Sequence, residues 1–82
     1  MSKEEILNKL QDIFIDILEN KEIILNYDTI YDDIPNWDSL TNIILIIEIE
    51  KKFNLKFKLE EIQSFKNISE ICDNILVKIK NK

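Results

Sequence analysis

Residues 38 to 53 read Asp-Ser-Leu-Thr-Asn-Ile-Ile-Leu-Ile-Ile-Glu-Ile-Glu-Lys-Lys-Phe, and their apolar positions form two helical stripes where one is usual. Leu45, Ile46, Ile49 and Phe53 follow one stripe, and Leu40, Ile43, Ile44 and Ile47 follow another. Thr41, Glu48 and Lys52 separate them on one side, and Ser39, Asn42 and Glu50 on the other. A chain of 82 residues is one domain, 1–82, by its length, and it buries only roughly 60% of its unfolded surface. Its core can cover one stripe. The other stays at least partly exposed unless a loop lies over it, and exposed apolar patches mark interaction sites.

Two further amphipathic segments flank this one. Ser2 and Glu5 form a capping-box pattern ahead of Ile6, Leu7, Leu10, Ile13, Phe14, Ile17 and Leu18, which predicts a helix over about 3–18 with Asn20 as its left-handed stop. Asn67 and Glu70 resemble another cap, ahead of Ile68, Ile71, Cys72, Ile75, Leu76 and Ile79. The middle helix is expected from Ser39 to Phe53, with Lys51 and Lys52 at its negative end and Asn54 as its stop. Phe53, Leu55 and Phe57 alternate with polar residues but have no second strand to pair with, so an extended linker is expected, then a short helical turn over 59–63. Residues 20–37 carry turn formers, with Ile23, Ile24, Leu25, Ile30 and Ile34 as anchors, and a connection this long tends to be functional. The expected fold is all-α: a small four-helix bundle, three helices long and one short, with a long loop between helices 1 and 2.

Composition narrows the chemistry. The chain has no His, which removes His-based triads, His general bases and most zinc sites. A single Cys closes no internal disulfide, and Cys72 on the last apolar stripe reads as a small buried hydrophobe. The net charge is −5, with twelve acids against three lysines through Glu50 and four against eight afterwards. An acidic half around Asp38 and Ser39 argues against a nucleic-acid partner and for a protein partner with a basic patch. No stretch is long and apolar enough for a membrane span, and the charged start Met-Ser-Lys-Glu-Glu-Ile does not read as a signal peptide, so a cytoplasmic monomer is expected.

The remaining candidates carry bland readings. Asp28, Asp32, Asp33 and Asp38 lack the spacing and the turn glycine of a calcium loop, so no metal site is expected. Asn67-Ile68-Ser69 matches a glycosylation acceptor but is better explained as a helix cap. Trp37 is expected to pack the loop against the bundle, partly exposed beside Ser39. Asp38 is the natural N-cap and Ser39 a polar first-turn residue.

Asp38-Ser39-Leu40 at a helix start resembles the attachment motif of the acyl carrier proteins and their peptidyl-carrier relatives. Leu45, Ile49-Glu50, Phe53 and Phe65-Lys66-Asn67-Ile68 support the resemblance, which runs over the whole chain in length and helix order. It implies that Ser39 carries a covalent 4'-phosphopantetheine arm, moved from coenzyme A by a phosphopantetheinyl transferase, with Asp38 capping the helix and assisting Mg2+ during transfer. It also implies that Leu45, Ile49 and Phe53 are core, while Leu40, Ile43, Ile44, Ile47 and Glu48 meet partners: the transferase, an acyl- or aminoacyl-activating ligase and acyl-transferring enzymes. Such a chain carries and does not catalyse. A helix start suits the new phosphodiester, since unpaired backbone N–H groups and the positive dipole end stabilise an anion by ~0.3–1 kcal/mol.

Carriers of fatty acid synthesis typically have a Gly shortly before the D-S-L, where this chain has Asn36-Trp37, and acids where Thr41, Asn42 and Ile44 stand. These departures point to a specialised stand-alone acyl carrier. An aminoacyl or peptidyl carrier, including a D-alanyl carrier, is the alternative within the class. A small acidic helical adaptor without a prosthetic group is the alternative outside it.

Overall fold

In a computed structural model that describes residues 1–81, the helices are α1 (Lys3–Leu18), α2 (Ser39–Phe53), α3 (Leu59–Ser64) and α4 (Ile68–Lys80), with one 3-10 turn at Tyr31–Asp33. The caps explain the boundaries. Ser2 Oγ accepts from the Glu5 N–H at 3.2 Å and Glu5 Oε1 accepts from the Ser2 N–H at 3.1 Å, closing the capping box of α1. Asn54 ends α2 in the left-handed region at φ 53°, with the Leu55 N–H returning to the Glu50 carbonyl at 3.1 Å.

The stop of α1 differs from expectation. Glu19, not Asn20, takes the left-handed conformation, at φ 52°, and the Asn20 N–H returns to the Ile15 carbonyl at 3.2 Å. Asn20 sits one residue past the reversal and uses its side chain instead, Oδ1 accepting from the Glu22 N–H at 3.0 Å to fix the next bend.

One core joins the three long helices, with α1 packed on both α2 and α4. Ile6, Leu10, Ile13 and Phe14 come from α1, Leu45, Ile46, Ile49 and Phe53 from α2, and Ile68, Ile71, Cys72 and Ile75 from α4. Five isoleucines make α2 a mediocre helix by intrinsic propensity, so its stability comes from this packing. Cys72 is fully buried, and burial pushes its thiol up to about 11, which keeps it protonated and inert.

The long loop is stitched down by polar groups. The Gln11 amide on α1 donates to the Ile23 carbonyl and accepts from the Leu25 N–H at 2.6 Å, pairing the loop as a neighbouring strand would. Ile23, Leu25 and Ile34 are buried as expected, but Ile24 and Ile30 are exposed. Ile24 lies between two inward-pointing residues of extended chain, where alternation turns it outward. Residues 55–58 are extended and no strand occurs among the described residues.

Helix α3 has no fully buried residue; Ile62 packs against the edge of the core and one carboxylate ties the helix to its neighbours. Glu61 accepts from the Lys58 N–H at 2.7 Å, from Asn74 Nδ2 at 2.9 Å and from Lys78 Nζ at 3.0 Å. These contacts, the Lys58 N–H foremost, hold its carboxyl down at about 2. No described helix is long and apolar enough to cross a membrane.

Candidate functional site

The start of α2 is built from behind. Trp37 is buried, stacked on Tyr31 (ring centroids 4.2 Å apart) and set edge-on against Phe14 of α1 (4.9 Å), and its Nε1–H donates to Asn42 Oδ1 at 3.0 Å. The expectation of partial exposure is therefore corrected. Tyr31 of the loop covers one face of the indole, Phe14 of α1 meets it edge-on, and Asn42, one turn into α2, satisfies its single polar atom. Asn36 makes this possible by adopting φ 67°, a left-handed value that Asn tolerates better than other residues with a side chain. The chain reverses there, so Trp37 enters the core while Asp38, Ser39 and Leu40 face solvent. Asn36 thus keeps the backbone a Gly would take, and the missing glycine leaves the geometry intact.

Asp38 is the N-cap. Its Oδ1 accepts from the Thr41 N–H at 2.8 Å, and its carbonyl accepts the first helical bond, from the Asn42 N–H, also at 2.8 Å. The Thr41 N–H is the main cause that holds its carboxyl below the usual carboxylate value. Ser39 is the first residue of the helix and exposed. The amides of Ser39 and Leu40 have no acceptor within the helix and sit at its positive end. A phosphodiester on Ser39 Oγ fits this setting: an exposed hydroxyl, amide donors and a dipole that favours an anion.

The two stripes of α2 separate cleanly. Leu45, Ile46, Ile49 and Phe53 are 1–7% exposed, whereas Leu40 is 70%, Ile43 57%, and Ile44 and Ile47 each 44% exposed. The loop does not cover the outer stripe. Glu48 lies half-buried at its margin, 3.7 Å from Lys51 Nζ. Asp32 and Asp33, both exposed, stand on the turn ahead of the site. No group of three side chains able to hold a metal ion occurs among the described residues. Tyr31, Asn36 and Asn42, which position the site, were not singled out for that role by sequence. The one signal available was Asn36 itself, an αL-tolerant residue just before a cap in a chain without glycine.

The model of the family described as "phosphopantetheine attachment site" matches residues 8–75. The chain is similar to an acyl carrier protein of Cyanidium caldarium, 35% identical over 83 residues, covering 100% of this chain and 95% of that one. It is similar to an acyl carrier protein of Coprothermobacter proteolyticus at 31% identity, with 92% of each chain covered. Among solved structures, the holo acyl carrier protein of Geobacter metallireducens, determined in solution by NMR, superposes with a TM-score of 0.86 at 33% identity, over 92% of this chain and 86% of that one.

Proposed function

This chain belongs to the acyl carrier protein family, whose members carry a covalent phosphopantetheine, and we propose that Ser39 is its attachment residue. The observation that carries the assignment is the exposed hydroxyl of Ser39 at the first position of a 15-residue helix, inside Asp38-Ser39-Leu40. When bound, the arm supplies a terminal thiol on which acyl groups are held as thioesters.

The chain's own residues present and stabilise. Asp38 caps α2 and offers a carboxylate beside Ser39, suited to orient the Mg2+ of the transferase complex. The amides of the first turn, with Leu40's shared with the Asp38 carboxylate, would stabilise a phosphodiester on Ser39 Oγ. Trp37, locked by Tyr31, Phe14 and Asn42, holds this corner in place, so that the hydroxyl is offered at a fixed angle. Deprotonating Ser39 is left to the transferase: the chain has no His, and the neighbouring Asp38 carboxylate is engaged by the Thr41 N–H and held below its ordinary value, which makes it a weak base.

Leu40, Ile43, Ile44 and Ile47, with Glu48 at the margin, form the surface for the transferase, an acyl-activating ligase and acyl-transferring enzymes. An apolar centre with acids at its Asp38 end and Glu48 on its margin fits partners with an apolar patch and basic residues facing that end. We assign an acyl rather than an aminoacyl cargo, supported by the names of both relatives. The test is intact mass. Incubation with coenzyme A, Mg2+ and a broad-specificity phosphopantetheinyl transferase adds one phosphopantetheine to the wild type and none to Ser39→Ala. Modification of Ser39→Ala, or none of the wild type, removes the assignment.

A further inference from the structure

The exposed stripe of α2 does not end at Ile47. Lys51 follows one turn on, in register with Leu40, Ile44 and Ile47, about 18 Å along the axis from Ser39 at the helical rise of 1.5 Å per residue. There the surface dips into a depression of about 370 Å³ lined by Ile47, Glu50, Lys51, Asn54, Leu55 and Lys56. Ile47 and Leu55 contribute apolar surface, Lys51 and Lys56 contribute cations, and Glu50 turns one carboxylate oxygen to the Phe57 N–H at 2.9 Å.

Charge runs along the helix in the same direction. Asp28, Asp32, Asp33 and Asp38 stand at or before its start, whereas its far end, residues 48–58, holds Lys51, Lys52, Lys56 and Lys58 against two acids, Glu50 and Glu48, the latter 3.7 Å from Lys51 Nζ. Four cations outweigh these two carboxylates together with the roughly half negative charge of the α2 C-terminus, and Lys56 pairs with neither acid. The track therefore begins at an anchoring hydroxyl among acids, crosses four exposed apolar side chains and ends among lysines.

We propose that, once Ser39 is loaded, this track holds an acyl group that ends in a carboxylate, with its far carboxylate at Lys51 and Lys56. The inference rests on Ser39 as the attachment residue and names the cargo class. An arm lying along α2 covers Leu40, Ile43, Ile44 and Ile47 and delivers the end of its cargo to the lysines. Exposed ion pairs are individually weak, but a tethered carboxylate meets them at an effective concentration in the millimolar range. A plain alkyl acyl group of the same length lacks the charge that selects this end. Partner enzymes that dock on the same stripe displace the cargo, so docking and release of the acyl end are one event.

The test compares two four-carbon cargoes, loaded by the transferase from succinyl-coenzyme A and from butyryl-coenzyme A and verified by intact mass. In 1H–15N spectra the succinyl form shifts the amides of Ile47, Lys51 and Lys56 relative to the butyryl form. The difference disappears in Lys51→Gln/Lys56→Gln, whose fold is checked by circular dichroism, and in about 1 M salt, where the Debye length is about 3 Å. Identical spectra for the two loaded forms, or differences confined to residues 39–43, overturn this proposal and leave the attachment site standing. Absence of any mass gain overturns both.

Discussion

The helices α2 and α4 start with the same device and use it differently. In each an Asx side chain accepts the third amide of the helix: Asp38 from Thr41 at 2.8 Å, Asn67 from Glu70 at 3.0 Å. At α4 the two preceding amides are consumed as well, Ile68 donating to the Thr29 carbonyl at 3.0 Å and Ser69 to the Tyr27 carbonyl at 2.9 Å. The long loop thus closes the start of α4, and Lys3 of α1 seals it further by donating to Ser69 Oγ at 2.8 Å and pairing with Asp73 at 3.0 Å. At α2 the loop passes behind the helix, anchored by Trp37, and supplies no acceptor to the corresponding amides; that of Leu40 leans on the Asp38 carboxylate of its own cap. One loop stitches one helix start shut and props the other open. A free helix N-terminus costs some stability, and here it coincides with the residue proposed to carry the arm.

The largest effect is expected where the prop is removed. Trp37→Ala takes away the ring packed between Tyr31 and Phe14 and leaves Asn42 Oδ1 without its indole donor. Burial of this kind is worth about 3–5 kcal/mol, a large share of the about 5–15 kcal/mol that holds a small domain together. Urea unfolding should show a loss of that size. A loss under about 1 kcal/mol would mean that the start of α2 is held by something other than Trp37.

Next in size is the contrast between the caps themselves. Asn67→Ala leaves one more amide unsatisfied in a half-buried, fully stitched corner and should cost about 1–2 kcal/mol. Asp38→Ala acts at an exposed corner where water replaces the cap, and should cost clearly less. Equal losses by denaturation would erase the distinction drawn between the two starts.

How much of this was legible in the residues follows from distance along the chain. The range of α2 and the starts of α1 and α4 could be read because caps and periodicity act within a turn or two: Ser2 with Glu5, Asp38 with Thr41, Asn67 with Glu70. The residue proposed for attachment was singled out through Asp38-Ser39-Leu40. The path of the loop was not, because it depends on Gln11 meeting Ile23 and Leu25, and on Thr29 and Tyr27 meeting α4 some forty residues later. Trp37 was expected to be half out because its burial needs Phe14 and Tyr31 on either side. Which stripe of α2 faced inward was not decided by pattern, since both are rich in Leu and Ile; the family resemblance supplied it.

Acid should separate the two starts more gently. The Asp38 carboxyl is held below its ordinary 3.8, so its capping contribution is complete above that value and is lost as pH falls through the lower folded value. Asn67 does not titrate. Protection of the Thr41 amide from hydrogen exchange, corrected for intrinsic rate, should therefore drop below about pH 3.8 while that of Glu70 persists. The Glu61 clasp on α3 follows the same sign, complete above 4.5 and lost toward about 2, so α3 should also loosen before the start of α4 does. Loss of Glu70 protection ahead of Thr41 would reverse the ranking.

The smallest effect is the one that discriminates best. Each helix start carries a serine: Ser39 at the first position of α2 and Ser69 at the second position of α4. Ser69 is committed, its hydroxyl accepting from Lys3 and its amide donating to Tyr27. Ser69→Ala removes a charge-assisted bond at a partly buried site and should cost about 1 kcal/mol. Ser39→Ala removes an exposed hydroxyl outside these networks and should change stability by less than about 0.5 kcal/mol. The order inverts when modification is measured instead. Ser69→Ala should accept one phosphopantetheine as readily as the wild type, whereas Ser39→Ala should accept none. A residue that stability hardly registers and that modification cannot do without is expected where the fold holds a group out for another protein to find. Modification at Ser69, or a large stability loss in Ser39→Ala, would show that the open and closed starts had been assigned the wrong way round.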